Sequence, residues 1–347
     1  MKQGLLILLM CCLGGNLFAQ DEKQPAFLVK LLNGQNVKEV EVTTSGGNIS
    51  VESVASDQER IEVFIWPSNR NKNASVSKEE IQQRLDELYD LKTEVSLNKL
   101  TASAKPKHNG MNWKNGLSIS FKIFVNKNIV THLTTSGGNI NLALLTGDQK
   151  VTTSGGNITA DNVKGKLKGL TSGGNIELKN SAGDIDLTTS GGNIDADNST
   201  GTIKLSTSGG NVKLVNLDGN IDATTSGGDI RGNDIKGELD AHTSGGNVDL
   251  AGLSCNVSAG TSGGDVRVAI KEPGKFIRLS NSGGKIDLQL PAGKGYNLDI
   301  SGDKVKTDGL TNFSGKASDT ELRGTLNGGG TEVKADAGGS KIKVTFK

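Results

Sequence analysis

One apolar position returns every eighteen residues along the middle of the chain: Ile140, Ile158, Ile176, Ile194, Val212, Ile230, Val248 and Val266. Two residues further on stand Leu142, Ala160, Leu178, Ala196, Leu214, Gly232, Leu250 and Val268, and between them lie charges of mixed sign such as Glu177, Asp195, Lys213 and Arg231. Alternation with period two predicts a half-buried strand. A second apolar pair follows in each unit, Leu167 with Gly169, Ile185 with Leu187, Ile203 with Leu205 and Ile221 with Ala223. Each unit therefore predicts two short strands in two halves of about nine residues. Units this regular stack on their neighbours instead of folding around a distant core.

The polar positions keep the same period. Ser-Gly-Gly motifs place their first glycines at Gly137, Gly155, Gly173, Gly191, Gly209, Gly227, Gly245 and Gly263, and a threonine stands two residues before each, from Thr135 to Thr261. Glycine supplies the positive φ that corners commonly need. A second corner carries its own column, Gly147, Gly165, Gly183, Gly201, Gly219 and Gly237. Stacked Thr, Ser and Asn columns can bond to one another or to corner backbone. From Thr131 to Lys275 there is no Phe, Tyr or Trp, and no proline lies between Pro106 and Glu272. A core two strands thick excludes rings, and a ladder needs every N–H. The fold class expected is all-β: a single-stranded right-handed β-solenoid with 18-residue coils of two short strands, plus an irregular N-terminal part with one helix.

Both ends depart from the period. An isolated Thr-Thr-Ser-Gly-Gly-Asn-Ile copy runs from Thr43 to Ile49. Beyond it, Ile61 to Trp66 predicts a strand ended by Pro67, and Ser77 to Glu80 a capping box ahead of a helix face built from Ile81, Leu85 and Leu88. Two more strands are expected at about Glu94 to Ala104 and Leu117 to Val125. Phe27, Phe64, Trp66, Trp113, Phe121 and Phe124 gather on this side, as expected of a cap that closes the first coil. At the other end the spacing stretches to Gly283 and the register is expected to fray through Gly328-Gly329-Gly330. The organisation expected is a signal peptide over 1–19, an irregular part and cap over 20–130, and regular repeats with frayed last coils over 131–347.

Lys2, the apolar run from Leu5 to Leu13 and the small residues before Gln20 read as a secretory signal. Removal of Cys11 and Cys12 with it leaves Cys255, in the second-corner glycine column, as a lone structural thiol. No later run approaches a membrane span. The charges nearly cancel, 39 basic against 38 acidic residues, which argues against nucleic acid as a partner.

No catalytic, cofactor-binding or metal-binding residues emerge. The calcium nonapeptide motif needs a third glycine and an aspartate, whereas Gly173 to Leu178 offers Ile176 and Leu178 at those places. His108, His132 and His242 are too far apart to suggest zinc, and Asp184 and Asp186 read as solvated surface. Outward Thr134, Thr152, Thr188 and Thr224 could order water, but Leu170, Ser206, His242 and Gly260 interrupt the rank.

The Thr-Ser-Gly-Gly-Asn/Asp-Ile/Val repeats from Thr135 to Val266, the copy at Thr43 and the signal segment resemble the bacterial putative-adhesin family of β-strand repeats, similar in style to auto-transporter adhesin head domains. The resemblance implies a binding role at the cell surface or in the periplasm, with no cofactor and no catalytic residue. The expected protein is therefore exported and non-enzymatic, in the periplasm, at the outer surface or outside the cell. Its ligand would be a surface, a polysaccharide or a protein, bound by an extended outward face or by the irregular loops between Ser68 and Gly116. An envelope scaffold attached to a signalling system, and an ice- or polymer-binding solenoid, are the alternatives.

Overall fold

The computed structural model describes residues 25–68, 76–108 and 116–347, so the signal segment, Trp113 and most of the two polar loops lie outside the described residues. The protein is almost all β, with one α-helix and a short 3-10 turn among the described elements. Within the regular repeats, each inner strand pairs in parallel with the strands eighteen residues before and after it. Ile158 lies between Ile140 and Ile176, and Leu167 between Gln149 and Ile185. The apolar columns predicted to point inward are buried, with Ile140, Ile158, Ile194 and Val212 each 0 % exposed. Burying one such side chain stabilises by about 1.5–3 kcal/mol, and the stack repeats that gain in every unit.

The two halves are unequal. The first strand of a unit has four residues, as in Ile176–Lys179, and the second eight, as in Ala182–Thr189. From Val212 onward the two fuse into single strands of fourteen residues, Val212–Thr225, Ile230–Thr243 and Val248–Thr261. The expectation of two equal half-turns is thus corrected, because the second corner bends the chain without interrupting its pairing.

The corner glycines also need correcting. In the Gly-Gly pair neither residue has positive φ; there the demand is space. A Cβ on the second glycine, as at Gly156, Gly174 or Gly192, would come within 3.0 Å of the carbonyl of the equivalent glycine one coil earlier. The first glycine meets only ordinary contacts, such as Ser172 O at 3.6 Å from a Cβ on Gly191. Positive φ belongs to the second corner, both in its glycine column (Gly183, φ 135) and in a column not anticipated: Leu144, Asn162, Asn180, Asn198, Asn216 and Asp234, with φ from 49 to 61. Asparagine and aspartate tolerate that region best among residues with a side chain.

The ends are more ordered than expected. Glu39–Thr43 and Ile49–Ser53, which carry the isolated copy, join the stack directly, with Val42 opposite Leu133 and Ile49 opposite Ile140. On their other side they pair with Lys99–Pro106 and Leu117–Val125. The chain builds one coil, leaves to form the cap, lays a further coil outside the first and then returns. The strand expected at Glu94 to Ala104 is really a hairpin of Tyr89–Ser96 with Lys99–Pro106, turning at Leu97 and Asn98, both at positive φ. The helix is Lys78–Leu88, capped by Ser77, whose side chain accepts from the Glu80 N–H, and it buries Leu85. Of the cap aromatics, Phe121 is core opposite Ile49, and Phe124 lies beneath the Arg60 guanidinium at 3.7 Å. Phe64 and Trp66 alternate with buried Ile61, Val63 and Ile65 and are only half-buried.

At the other end the register does not fray. Gly328 and Gly329 turn at φ 83 and 88, and Thr331–Phe346 re-enters the stack. It lies between Phe276–Asn281 with Ile286–Leu290 on one side and Tyr296–Asp308 on the other, parallel to all of them. The antiparallel pair Phe313–Ala317 and Glu321–Leu326 lies against Tyr296–Asp308.

Candidate functional site

The repeated polar residues are joined from coil to coil. Each threonine of the column donates its hydroxyl to the second glycine's carbonyl one coil earlier, at 2.7–2.9 Å from Thr135 to Thr261. The same hydroxyl accepts the N–H of its own second glycine at 3.2–3.4 Å. The Asn/Asp column forms a parallel rail, each backbone N–H donating to Oδ1 of its counterpart one coil earlier at 2.8–2.9 Å. Where the period stretches, Asn281 takes the threonine's place, donating to Gly264 O and accepting from Gly284 N–H. These columns are structural. The serine before each Gly-Gly, by contrast, is exposed.

The nearest approach to catalytic geometry is on an open strand face. His242 Nε2 lies 2.8 Å from Asp240 Oδ1 and 3.2 Å from Ser258 Oγ. A proton relay needs the carboxylate on one ring nitrogen and the hydroxyl on the other. Here one nitrogen serves both, and it cannot hold a proton for Asp240 while accepting one from Ser258. Nearby, burial holds the Asp222 carboxyl above its ordinary value, opposed by Lys204 and reinforced by Asp240.

The other singled-out residues scatter. Asp184 and Asp186 stand opposite Lys166 and Lys168, and Lys168 Nζ reaches Asp186 at 3.3 Å. His132 lies between Glu41 and Lys150 in register, far along the stack from His242. Among the described residues, no three His, Cys, Asp or Glu side chains cluster to hold a metal. Cys255 is buried opposite Gly237, and burial pushes its thiol up to about 12. Beneath the first repeats sits a polar core pair that the apolar pattern did not suggest: buried Thr131 donates to Gln149 Oε1 at 2.7 Å, and Gln149 Nε2 donates to Ile129 O at 2.8 Å.

Two shallow concavities flank the repeats. One of about 700 Å³ lies at the cap between Phe27, Leu28, Lys78, Tyr89 and Lys107. The other, about 480 Å³, runs over Arg267, Asp287, Gln289, Lys343 and Lys347. Most of the loop residues expected to carry specificity, 69–75 and 109–115, lie outside the described residues. No helix among the described residues is long and apolar enough to cross a membrane.

The chain matches no family model, and no curated protein sequence matches it. Two solved structures are similar to it in outline. A candidate cell adhesion protein from Clostridium sporogenes is 12 % identical, the match covering 92 % of this chain and 98 % of that one at a TM-score of 0.23. A candidate adhesin from Bacteroides fragilis is 14 % identical, with 91 % and 96 % covered at a TM-score of 0.24. The likeness is broad in coverage and distant in geometry, so no residue role passes from either to this chain.

Proposed function

We propose that the protein is a right-handed β-solenoid, exported and non-enzymatic, that serves as a rigid binding or structural element of the bacterial cell envelope, with adhesion as its role. The stack begins at Glu39, and the excursion over 54–125 closes its first end. One observation carries this reading: of the residues that the repeat holds constant, Thr and the second Gly, with the Asn/Asp that follows, are bonded or packed to the adjacent coil. That invariance is spent on a stiff rod. Loops and outward faces are left to vary, which is how a scaffold presents a binding surface. The His242 geometry supports the non-enzymatic part of the proposal, since its one shared nitrogen cannot run a relay.

The test is fractionation combined with attachment. Intact cells treated with an external protease should lose the protein, and a deletion strain should attach less to its surface than the parent. Full protection from protease together with unchanged attachment would reject the adhesive role.

A further inference from the structure

Along the repeats, neighbouring coils set opposite charges side by side at Lys168 with Asp186, Lys204 with Asp222 and Arg267 with Asp249, and like charges only as single pairs, Lys150 with Lys168, Glu177 with Asp195, Lys213 with Arg231 and Asp222 with Asp240. Tyr296–Asp308 and Thr331–Phe346 set two like-charged pairs in succession. In their parallel register Lys304 stands opposite Lys341 and Lys306 opposite Lys343. All four are exposed, while Val305, Ile342 and Val344 between them point into the core. The four ammonium groups therefore share one face, with strands about 4.8 Å apart and alternate residues about 6.6 Å apart along each strand. None of the four forms an ion pair among the described residues. The acid nearest in register is Asp287, opposite Lys343 on its other side, and it already faces Arg267. Asp303 and Asp308 flank the array and are exposed.

Like charges directly opposite one another destabilise a sheet. A two-by-two array of them, where the repeats carry like charges only as single pairs, has its cost offset when an anion lies across it. The 480 Å³ depression continues from this array, with Arg267, Lys343 and Lys347 in its wall beside Asp249 and Asp287, and Ala251, Ala269 and Thr345 among its small lining residues. We propose that Lys304, Lys306, Lys341 and Lys343 form a docking patch for an acidic polysaccharide, a polymer bearing a carboxylate on successive sugars, which lies in this depression. The proposal rests on the binding role proposed above and names its ligand class and place.

Two other polyanions fit less well. Single-stranded nucleic acid binds by stacking bases on exposed rings, and here Tyr296 and Phe346 are buried. An anionic membrane is held by basic residues beside apolar ones that enter the bilayer. The large exposed apolar side chains, Leu28, Val29, Leu31, Leu97, Leu144 and Leu170, all lie in the first half of the sequence.

The experiment titrates the full chain with polygalacturonate, with neutral dextran and phosphatidylglycerol vesicles as comparisons. Binding to polygalacturonate that weakens as salt rises is expected, with none to dextran. Lys304→Gln/Lys306→Gln/Lys341→Gln/Lys343→Gln should lose at least tenfold in affinity while melting no lower than the parent, because the exchange removes repulsion. Lys164→Gln/Lys166→Gln/Lys213→Gln/Lys236→Gln changes the net charge equally and should bind as the parent does. Equal loss in both variants, undiminished binding in the first, no binding by the parent, or binding to vesicles alone would each overturn the patch. If the first variant still attaches cells as the parent does, the patch falls and adhesion stands; absent attachment by the parent strain removes adhesion itself.

Discussion

The two corners of each coil solve one problem in different ways. At the Ser-Gly-Gly-Asn corner, ordinary backbone angles are held by a threonine hydroxyl, a glycine packed against glycine and an asparagine rail, each reaching the adjacent coil. At the second corner the turn itself is made by positive φ at Asn198 and Gly201, while Gly201 packs on Gly183 O and Ser181 N–H donates to Ser199 Oγ of the adjacent coil. A residue that serves its neighbour cannot change unless the neighbour changes too. A position that needs only a bend can take another residue that bends, and the asparagine column of the second corner accordingly accepts Leu144, Asp234 and Gly252, all at positive φ, whereas Cys255 takes the glycine's place where the chain no longer adopts positive φ. Tolerance to substitution therefore follows from where each residue's contacts go.

The largest break in this comparison should come from the core common to both corners. Ile194→Asp buries an unpaired charge in a column 0 % exposed and is expected to cost several kcal/mol, roughly 4 or more, whereas Asp195→Lys on the exposed face should stay within about 0.5 kcal/mol. Thermal melting of the two variants measures the difference, and comparable shifts would mean that inward and outward columns are misassigned.

A sharper cut separates the paired glycines. Gly192→Ala drives a Cβ into Gly174 O and should cost about 3 kcal/mol, while Gly191→Ala has room and should be neutral or stabilise by about 0.5 kcal/mol through the unfolded chain. Denaturant midpoints reveal this asymmetry. Equal costs would restore turn conformation as the reason for both glycines. Thr189→Val, which leaves Gly174 O and Gly192 N–H without their hydroxyl, is expected to cost about 1–3 kcal/mol by the same measurement.

The smallest effect concerns Cys255. Its folded thiol is raised from 9.0 to about 12, so the stability linked to it is complete below pH 9 and declines as pH rises towards 12. At pH 8 a thiol reagent should leave the native protein unlabelled and label it on unfolding. Rapid native labelling would contradict its burial.

Much of the stack was legible because its signals are local and repeated: Ile194 with Ala196 alternates by two, and Thr189 recurs at eighteen. What could not be read depends on register between distant segments. The copy at Thr43 to Ile49 repeats Thr134 to Ile140 residue for residue, but a separation of ninety-one residues, across a cap that is itself an excursion from the stack, hid that the two lie side by side. Thr331–Phe346 looked frayed because its partners, fifty-six residues earlier at Phe276 and Ile286, fall outside the period. The Lys304–Lys341 and Lys306–Lys343 pairs were invisible for the same reason. Positive φ at Asn198 was missed because asparagine in a polar corner also suggests a hydrogen-bonding role, which is its use in the other column at Asn193.

The central claim is that the structural unit is one whole coil of eighteen residues, its corners locked to the next coil. Deleting residues 194–211 joins Asn193 to Val212 and returns every column to its own kind. The variant should melt cooperatively, within a few degrees of the parent, with a rod shorter by one strand spacing of about 4.8 Å in solution scattering. Deleting only residues 194–202 sets a first corner against a second and should lower the melting temperature far more. Equal melting of the two deletions, or collapse of the eighteen-residue one, would contradict the account.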